Sequence, residues 1–183
     1  VRLKTEGRHN VYNALAAVAA ARQCGVSTAE AVRGVEDFKG VKRRWETIGE
    51  LFGKKVIADY AHHPKEIVSA LSPVKNPLVI FQPHTYSRTK LLMKDFVAAL
   101  RGKTCVVYAT YPAREKYDAE GSAYTLYLEL KKAGGDAVYA EDEGRLLQAV
   151  RLRAEAADAV LALGAGDIYE VISRQIEKFG RKV

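Results

Sequence analysis

The chain has 183 residues, of which 48% are hydrophobic and 28% charged, and its formal net charge is +7. This apolar content is too high for a disordered chain, and no apolar run reaches the roughly 18 residues of a membrane span. A globular protein with a sizeable core is therefore expected. Because the sequence starts without Met and without the apolar stretch of a secretory signal, we expect a fragment of a longer protein.

The positive charge does not by itself indicate nucleic acid binding. The basic residues are spread along the chain and do not alternate with aromatic residues, as a single-strand binder would require. We interpret them as a solvated surface with one or two sites for phosphorylated ligands, and expect neither a nucleic acid nor a membrane partner. The two cysteines, Cys24 and Cys105, lie in apolar sequence without metal-type spacing, which predicts buried, reduced thiols and hence a cytoplasmic protein.

The first forty residues predict two helices that have no sheet of their own. Asn10 is a suitable N-cap for an alanine-rich helix that ends at Gly25. Ser27 and Glu30 predict a capping box that opens a second short helix. We place a domain boundary near residue 40, so that residues 1–40 end one domain and residues 41–183 form another.

From residue 45 onward, strands and helices alternate. A hairpin of strands 45–51 and 55–59 is expected to turn at Gly53. After it we predict helices at 64–73, 88–101, 123–133, 143–156 and 167–179, and strands at 78–82, 104–109, 136–140 and 159–163. Continuous apolar strands indicate burial on both faces. The predicted fold class is α/β, with a doubly wound, mostly parallel sheet, one antiparallel edge strand and two preceding helices.

Ligands of such sheets bind at the carboxyl ends of the strands, and His62, His63 and His84 are all predicted to lie there. Adjacent side chains of an extended segment point to opposite sides, so that joint binding of one metal ion by His62 and His63 is disfavoured. We predict instead that one imidazole faces a pocket, in the role given to His62, while the other, His63, caps or supports the helix beginning at Pro64. The helical motif H-E-x-x-H is also missing, so no metal site is predicted.

Three further features have a functional and a structural interpretation. Arg88, flanked by His84 and Tyr86, can hold a carboxylate or phosphate, or can form an ion pair at a helix start. The turn "GAGD" at 164–167 resembles a phosphate-binding turn only weakly, because Tyr169 stands where a small residue is wanted; a tight turn with Asp167 as helix cap is the alternative. Asn13 shares a helix face with Asn10 and can bond a ligand or a buried backbone group.

The segments "GRHNVYNALAA", "GVKRRWE", "DYAHHPKEI", "FQPHTYSRTK" and "GAGDI" occur in this order along nearly the whole chain. Together they resemble the C-terminal part of the Mur ligase family, and the two histidine motifs resemble its L-alanine-adding branch. The family implies three domains. By this resemblance residues 1–40 end the central ATPase domain, and residues 41–183 form a Rossmann-like C-terminal domain that binds the amino acid and closes over ATP.

The resemblance implies an ATP-dependent ligase that joins L-alanine to UDP-N-acetylmuramate through an acyl phosphate. It implies ATP contacts for His9, Asn10, Asn13, Arg44 and Asp59, and L-alanine contacts for Tyr60, His62, His84 and Arg88, with no catalytic residue assigned within this chain. The motif G-x-x-x-x-G-K-[ST] is missing here, so the phosphate loop and the Mg²⁺ ligands are expected upstream and the chain alone is expected to be inactive. The chain departs from the family at two positions: Thr85 stands where many members carry an arginine, and Ala58 stands where an aspartate is common.

Two other classes of function remain open at this stage. The chain could be a stand-alone Rossmann-like binding module for an anionic nucleotide or RNA, in which case its RNA binding would be sensitive to salt. It could also be a histidine-based hydrolase, which would retain a metal ion through purification.

Overall fold

The computed structural model describes residues 1–5 and 7–182, with the side chains of residues 8 and 9 outside the described part. The chain divides into two compact units, one of residues 1–44 and one from residue 45 onward. The first unit contains α1 (Arg8–Gln23) and α2 (Thr28–Asp37). Within the described residues, no helix is long and apolar enough to cross a bilayer.

The helix α1 begins three residues earlier than the sequence predicts. Its N-cap is Gly7, whose φ of 100° is a backbone value that glycine adopts readily, so the prediction that Asn10 is the cap is wrong. Asn10 lies in the first turn instead, and its Oδ1 accepts a hydrogen bond from Nδ2 of Asn13 at 3.3 Å. The predicted shared face of these two asparagines is thereby confirmed.

The rest of the first unit follows the predicted local chemistry. Gly25 has a φ of 85° just after α1, in the left-handed region expected at a helix C-terminus. The capping box of Ser27 and Glu30 is present at the start of α2. Cys24 is exposed, which corrects the expectation that both thiols are buried.

The second unit is built on a seven-stranded sheet within the described residues, in the order β5-β4-β3-β6-β2-β1-β7. Its strands are β1 (Glu46–Leu51), β2 (Lys54–Asp59), β3 (Pro77–Phe81), β4 (Thr104–Tyr108), β5 (Ala137–Ala140), β6 (Ala159–Leu163) and β7 (Gly180–Arg181). The strands from β5 to β2 run parallel, and β1 is antiparallel to both of its neighbours. The predicted fold class is confirmed, although the two-residue β7 was not predicted.

The helices of the second unit are α3 (Pro64–Leu71), α4 (Tyr86–Leu91), α5 (Met93–Leu100), α6 (Ala123–Lys132), α7 (Glu143–Arg153) and α8 (Ile168–Phe179). The predicted single helix at 88–101 is wrong, because the chain breaks at Leu92, where φ is −106° and ψ is 19°. The break separates α4, which is bonded to the loop after β4, from α5, which buries Phe96 and Leu100 in the core.

Helices cover both faces of the sheet and create two apolar layers. Along β3, Val79 and Phe81 pack with α3, α5 and α6, whereas Leu78 and Ile80 pack with α7 and α8. All four side chains are fully buried, and each such burial stabilises the fold by about 1.5–3 kcal/mol. Cys105 lies in the first layer, where burial raises the pKa of its thiol to about 12.

Candidate functional site

The candidate site lies at the carboxyl ends of β2 and β3, on either side of the end of β6. Because these strands are parallel, the segments that follow them meet at one edge of the sheet. The segment after β2 carries His62 and the segment after β3 carries His84, and their ring centroids are 6.0 Å apart. Two histidines separated by 22 positions are thus brought together by the sheet order.

The two adjacent histidines have different structural roles. His63 Nδ1 accepts a hydrogen bond from the backbone N–H of Lys65 at 3.3 Å, which confirms that His63 caps α3. Glu66 completes the cap, since its Oε2 accepts from the N–H groups of His62 and His63 at 3.0 and 3.2 Å. The ring of His62 packs edge-on against Tyr60, with centroids 5.4 Å apart.

The tautomer of His62 follows from its neighbours. Its Nδ1 lies 2.9 Å from the carbonyl oxygen of Tyr60 and 3.4 Å from Oε2 of Glu66. Both of these atoms are acceptors, so we assign the Nδ1 proton to His62, and this proton fixes the orientation of the ring.

Arg88 and His84 form the charged part of the site. Nη1 of Arg88 lies 3.2 Å from Nδ1 of His84 and 3.3 Å from its carbonyl oxygen. A guanidinium has no acceptor, so Nδ1 of His84 accepts and the ring proton of the neutral form sits on Nε2. Burial lowers the pKa of His84 first of all, followed by the positive charges of Arg88 and His62. His84 is therefore held in its neutral form near neutral pH.

Tyr111, in the loop after β4, is a site residue that sequence reasoning missed. Its ring stacks on His84 with centroids 5.5 Å apart and an interplanar angle of 20°. Its backbone is also paired with the loop after β3, because its N–H donates to Pro83 and its carbonyl accepts from Thr85, both at 2.9 Å. The rule that polar residues after a strand line the site would have found Tyr111, had it been applied to β4.

Gln82 is a second residue that was missed, and it replaces the predicted cap of α8. Its side chain is 2% exposed; Oε1 accepts from the N–H of Ile168 at 3.0 Å, and Nε2 donates to Oδ1 of Asp167 at 2.7 Å. Asp167 occupies the N-cap position of α8, as one of the two alternatives predicts, but its side chain makes no capping hydrogen bond. A Cβ atom on Gly166 would lie 2.6 Å from Cβ of Tyr111, so close packing accounts for this glycine.

The residues proposed for ATP are divided between the two units. Asn10, Asn13 and Arg44 lie in the first unit, as does His9, whose side chain is outside the described residues. Asp59 lies in the second, where its Oδ2 accepts from the N–H of Trp45 and its Oδ1 from that of Ala61, both at 2.8 Å. Asp59 thus ties the start of β1 to the exit of β2.

The described side chains were compared with the groupings that hold metal ions in proteins. In the part of the chain that the structure describes, no group of three or more histidine, cysteine, aspartate or glutamate residues is arranged to hold a metal ion. Tyr60, His62, His84 and Arg88 do form one continuous group of contacts. What this group offers a ligand is a guanidinium and aromatic rings, which suit a small anionic or zwitterionic molecule.

A doubly wound sheet with such a group at its strand ends defines a ligand-binding α/β domain. The model of a protein family described as "Mur ligase, glutamate ligase domain" matches residues 43–166. The chain therefore belongs to the Mur ligase family, which agrees with the resemblance seen in its motifs.

Similar proteins cover almost the whole chain. It is 39% identical to the UDP-N-acetylmuramate–L-alanine ligase of Caldanaerobacter subterraneus (97% of this chain, 40% of that protein) and 41% identical to that of Lachnospira eligens (93% and 39%). The crystal structure of the UDP-N-acetylmuramate–alanine ligase from Thermotoga maritima superposes with a TM-score of 0.72 at 31% identity (96% and 39%). The chain spans about 40% of the length of the curated relatives it matches.

Proposed function

We propose that this chain is the C-terminal part of an ATP-dependent ligase that joins L-alanine to UDP-N-acetylmuramate during peptidoglycan precursor synthesis in the cytoplasm. The observation that carries the proposal is the contact group of His62, His84 and Arg88 on a Mur ligase domain. The names of the relatives supply the two substrates. We assign residues 1–40 to the end of the central ATPase domain and residues 41–183 to the C-terminal domain.

The amino acid site of this ligase is formed by Tyr60, His62, His84 and Arg88. Arg88 attracts the carboxylate of L-alanine, and its orientation is fixed by the two bonds to His84. The neutral ring of His84 does not repel the ammonium group of the incoming amino acid. A small site of this kind disfavours larger amino acids by about 1–3 kcal/mol for each misfit methylene.

The nucleotide contacts are assigned to His9, Asn10, Asn13, Arg44 and Asp59. Asn10 and Asn13 share one face of α1, and Arg44 is an exposed cation at the end of the first unit. Mg²⁺, when bound with ATP, neutralises phosphate charge, and its ligands are assigned to parts of the ligase outside this chain. Because the chain has no phosphate-loop motif, we expect it to lack ligase activity on its own.

The reaction depends mainly on positioning and charge stabilisation. ATP transfers its γ-phosphoryl group to the lactyl carboxylate of UDP-N-acetylmuramate and leaves as ADP. The deprotonated amine of L-alanine then attacks the carbonyl of the acyl phosphate, and the tetrahedral intermediate expels inorganic phosphate and loses a proton to give the amide. Holding the amine in line with that carbonyl turns a bimolecular encounter into a step within one complex. The part of the work assigned to this chain is to bind the L-alanine carboxylate away from the reacting amine.

Isothermal titration of the full-length ligase tests this assignment. L-alanine is titrated in the presence of UDP-N-acetylmuramate and a non-hydrolysable ATP analogue, for the wild type, Arg88→Ala and the control Arg151→Ala, which removes an exposed arginine of α7. Arg88→Ala is expected to lose L-alanine binding while binding the ATP analogue normally, and the control is expected to match the wild type. Unchanged L-alanine binding in Arg88→Ala would show that the site is wrongly assigned.

A further inference from the structure

The short helix that carries Arg88 is capped by a residue far away in the sequence. The N-cap position of α4 is Thr85, whose side chain makes no capping hydrogen bond. The first N–H groups of a helix have no partner within the helix and need an acceptor from elsewhere. Glu115, in the loop after β4, supplies it: Oε2 accepts from the N–H of Ser87 at 2.8 Å, and Oε1 accepts a short hydrogen bond from the Ser87 hydroxyl.

The backbone just before α4 is strained. Thr85 has φ 68° and ψ 143°, which a β-branched residue rarely adopts and which the surrounding structure must hold in place. Its N–H donates to Tyr111, and its carbonyl accepts from the hydroxyl of Thr89 at 2.8 Å. Thr89 is fully buried. Arg88 therefore lies one turn after a strained residue, and relaxation of that residue would displace the guanidinium from His84.

Glu115 differs from the other acidic residues near α4. Asp118 and Glu120 reach α4 through the exposed Lys90 side chain, whereas Glu115 bonds the backbone of the first turn. The two bonds from Ser87 lower the pKa of Glu115, so its carboxylate is ionised at neutral pH. Its charge also reaches His84, whose pKa it raises against the larger opposing effects of burial and Arg88.

We propose that Glu115 is a positioning residue for the amino acid site, holding the first turn of α4 so that Arg88 stays on His84 and can bind the substrate carboxylate. This inference rests on the proposed function, since it assigns a role within the same site. Glu115 acts through Ser87 and Arg88 and need not touch the substrate.

Steady-state kinetics of the full-length ligase test the inference, with Glu115→Ala, Glu115→Gln and Glu115→Asp. Loss of hydrogen bonds to a charged group is expected to raise the KM for L-alanine roughly tenfold or more in Glu115→Ala, with the KM values for ATP and UDP-N-acetylmuramate unchanged. Glu115→Gln keeps the shape of the side chain and one acceptor, so its KM for L-alanine is expected to lie between those of the wild type and Glu115→Ala. Glu115→Asp is expected to recover part of the affinity for L-alanine.

A matched control distinguishes the specific effect of Glu115 from the effect of any contact between its loop and α4. Glu120→Ala removes an exposed carboxylate of the same segment, which pairs with Lys90 on α4. We expect it to leave the KM for L-alanine near the wild-type value. An equal rise in KM in Glu120→Ala and Glu115→Ala would overturn the inference, because it would show that any contact between the loop and α4 has the same effect.

The pH profile provides a readout that a purely structural role would not change. The charged or titratable groups that face His84 are Arg88, His62 and Glu115, and the stacked ring of Tyr111. Because Glu115 raises the pKa of His84, Glu115→Gln is expected to move the acid limb of kcat/KM for L-alanine to lower pH. Ser87→Ala keeps the charge and is expected to raise KM without moving this limb.

The outcomes distinguish this inference from the proposed function. If Arg88→Ala leaves L-alanine binding unchanged, the proposed site itself is wrong. The positioning role of Glu115 is overturned by a different result, in which Arg88→Ala loses L-alanine binding but the Glu115 variants behave as the wild type. In that case Glu115→Ala and the near-isosteric Glu115→Gln would keep the wild-type KM for L-alanine and the wild-type acid limb of kcat/KM, and the site assignment would stand.

Discussion

Arg88 donates from one nitrogen, Nη1, to two acceptors of a single residue, the ring Nδ1 and the carbonyl oxygen of His84. The two residues are four positions apart, and His84 lies just before α4, in the loop after β3. The contact fixes the guanidinium and also selects the tautomer of the imidazole. A change in either residue is therefore expected to alter the other.

The first prediction concerns the shape of the cation at position 88. Arg88→Lys keeps the positive charge but loses the planar fork, so that it cannot hold His84 and a carboxylate in the same geometry. We expect the KM for L-alanine in the full-length ligase to rise roughly tenfold, the size of effect associated with one charge-assisted hydrogen bond. Arg151→Lys, on the exposed surface of α7, serves as control. A wild-type KM in Arg88→Lys would show that charge alone is sufficient.

The second prediction concerns the pH dependence of His84. Because the pKa of His84 in the folded state is lowered below its ordinary value of 6.5, the unfolded state binds more protons between these two values. The free energy of unfolding is expected to fall as the pH drops from 6.5 through the folded-state pKa, and the full contribution is present above 6.5. L-alanine affinity is expected to fall in the same window, since a protonated His84 no longer accepts from Arg88.

His84→Asn tests this assignment, because an asparagine can accept a hydrogen bond but does not titrate. Urea denaturation midpoints measured between about pH 5 and pH 8 should lose the His84 contribution to the acid-side slope in this variant. His63→Asn, which alters a histidine of the α3 cap, serves as the comparison. An identical slope in the wild type and His84→Asn would contradict the prediction.

The third prediction separates the two adjacent histidines. His62→Ala is expected to raise the KM for L-alanine more than that for ATP, because His62 lies beside His84 in the contact group. His63→Ala is expected to lower the free energy of unfolding by about 0.5–2 kcal/mol through loss of the helix cap, with the KM for L-alanine little changed. Equal rises in both KM values for His62→Ala would contradict the site assignment.

The fourth prediction concerns the buried amide of Gln82. Gln82→Leu removes the acceptor of the buried Ile168 N–H and the donor to the exposed Asp167, and the buried N–H that is left unsatisfied costs about 1–3 kcal/mol. Urea denaturation is expected to show a loss of this size. Gln148→Leu, at an exposed position of α7, is expected to stay within about 0.5 kcal/mol of the wild type. A similar small change in both variants would show that water replaces the amide.

Residues close together in the sequence were the most predictable part of the site. The cap by His63 follows from an extended segment before a proline, and Arg88 is only four positions after His84 in the same motif. Gln82 and Tyr111 were missed because their partners are distant in the sequence. Gln82 bonds Ile168, 86 positions away, and Tyr111 stacks on His84, 27 positions away. The position of Tyr111 after β4 is a local signal for the site, but nothing local in the sequence identifies the partner of either residue.

The break at Leu92 and the cap of α4 have the same explanation. The sequence from 88 to 101 favours one continuous helix. In the structure, Glu115 bonds the first turn of α4 and Tyr111 pairs with Thr85 just before it, while Phe96 and Leu100 of α5 are buried in the core. Local propensity contributes a fraction of a kcal/mol per residue, whereas the burial of one large side chain contributes about 1.5–3 kcal/mol. Packing therefore decides where this helix is interrupted.

The sequence by itself determined the alternation of strands and helices, the doubly wound sheet, the family and the residues at the strand ends, because apolar periodicity and short motifs are local properties. Only the tertiary structure decided which strand ends are neighbours and which distant side chains complete the site. The insertion of β6 between β2 and β3 brings His62 to within 6.0 Å of His84. That order is set by packing helices on both faces of the sheet, which depends on the whole chain at once.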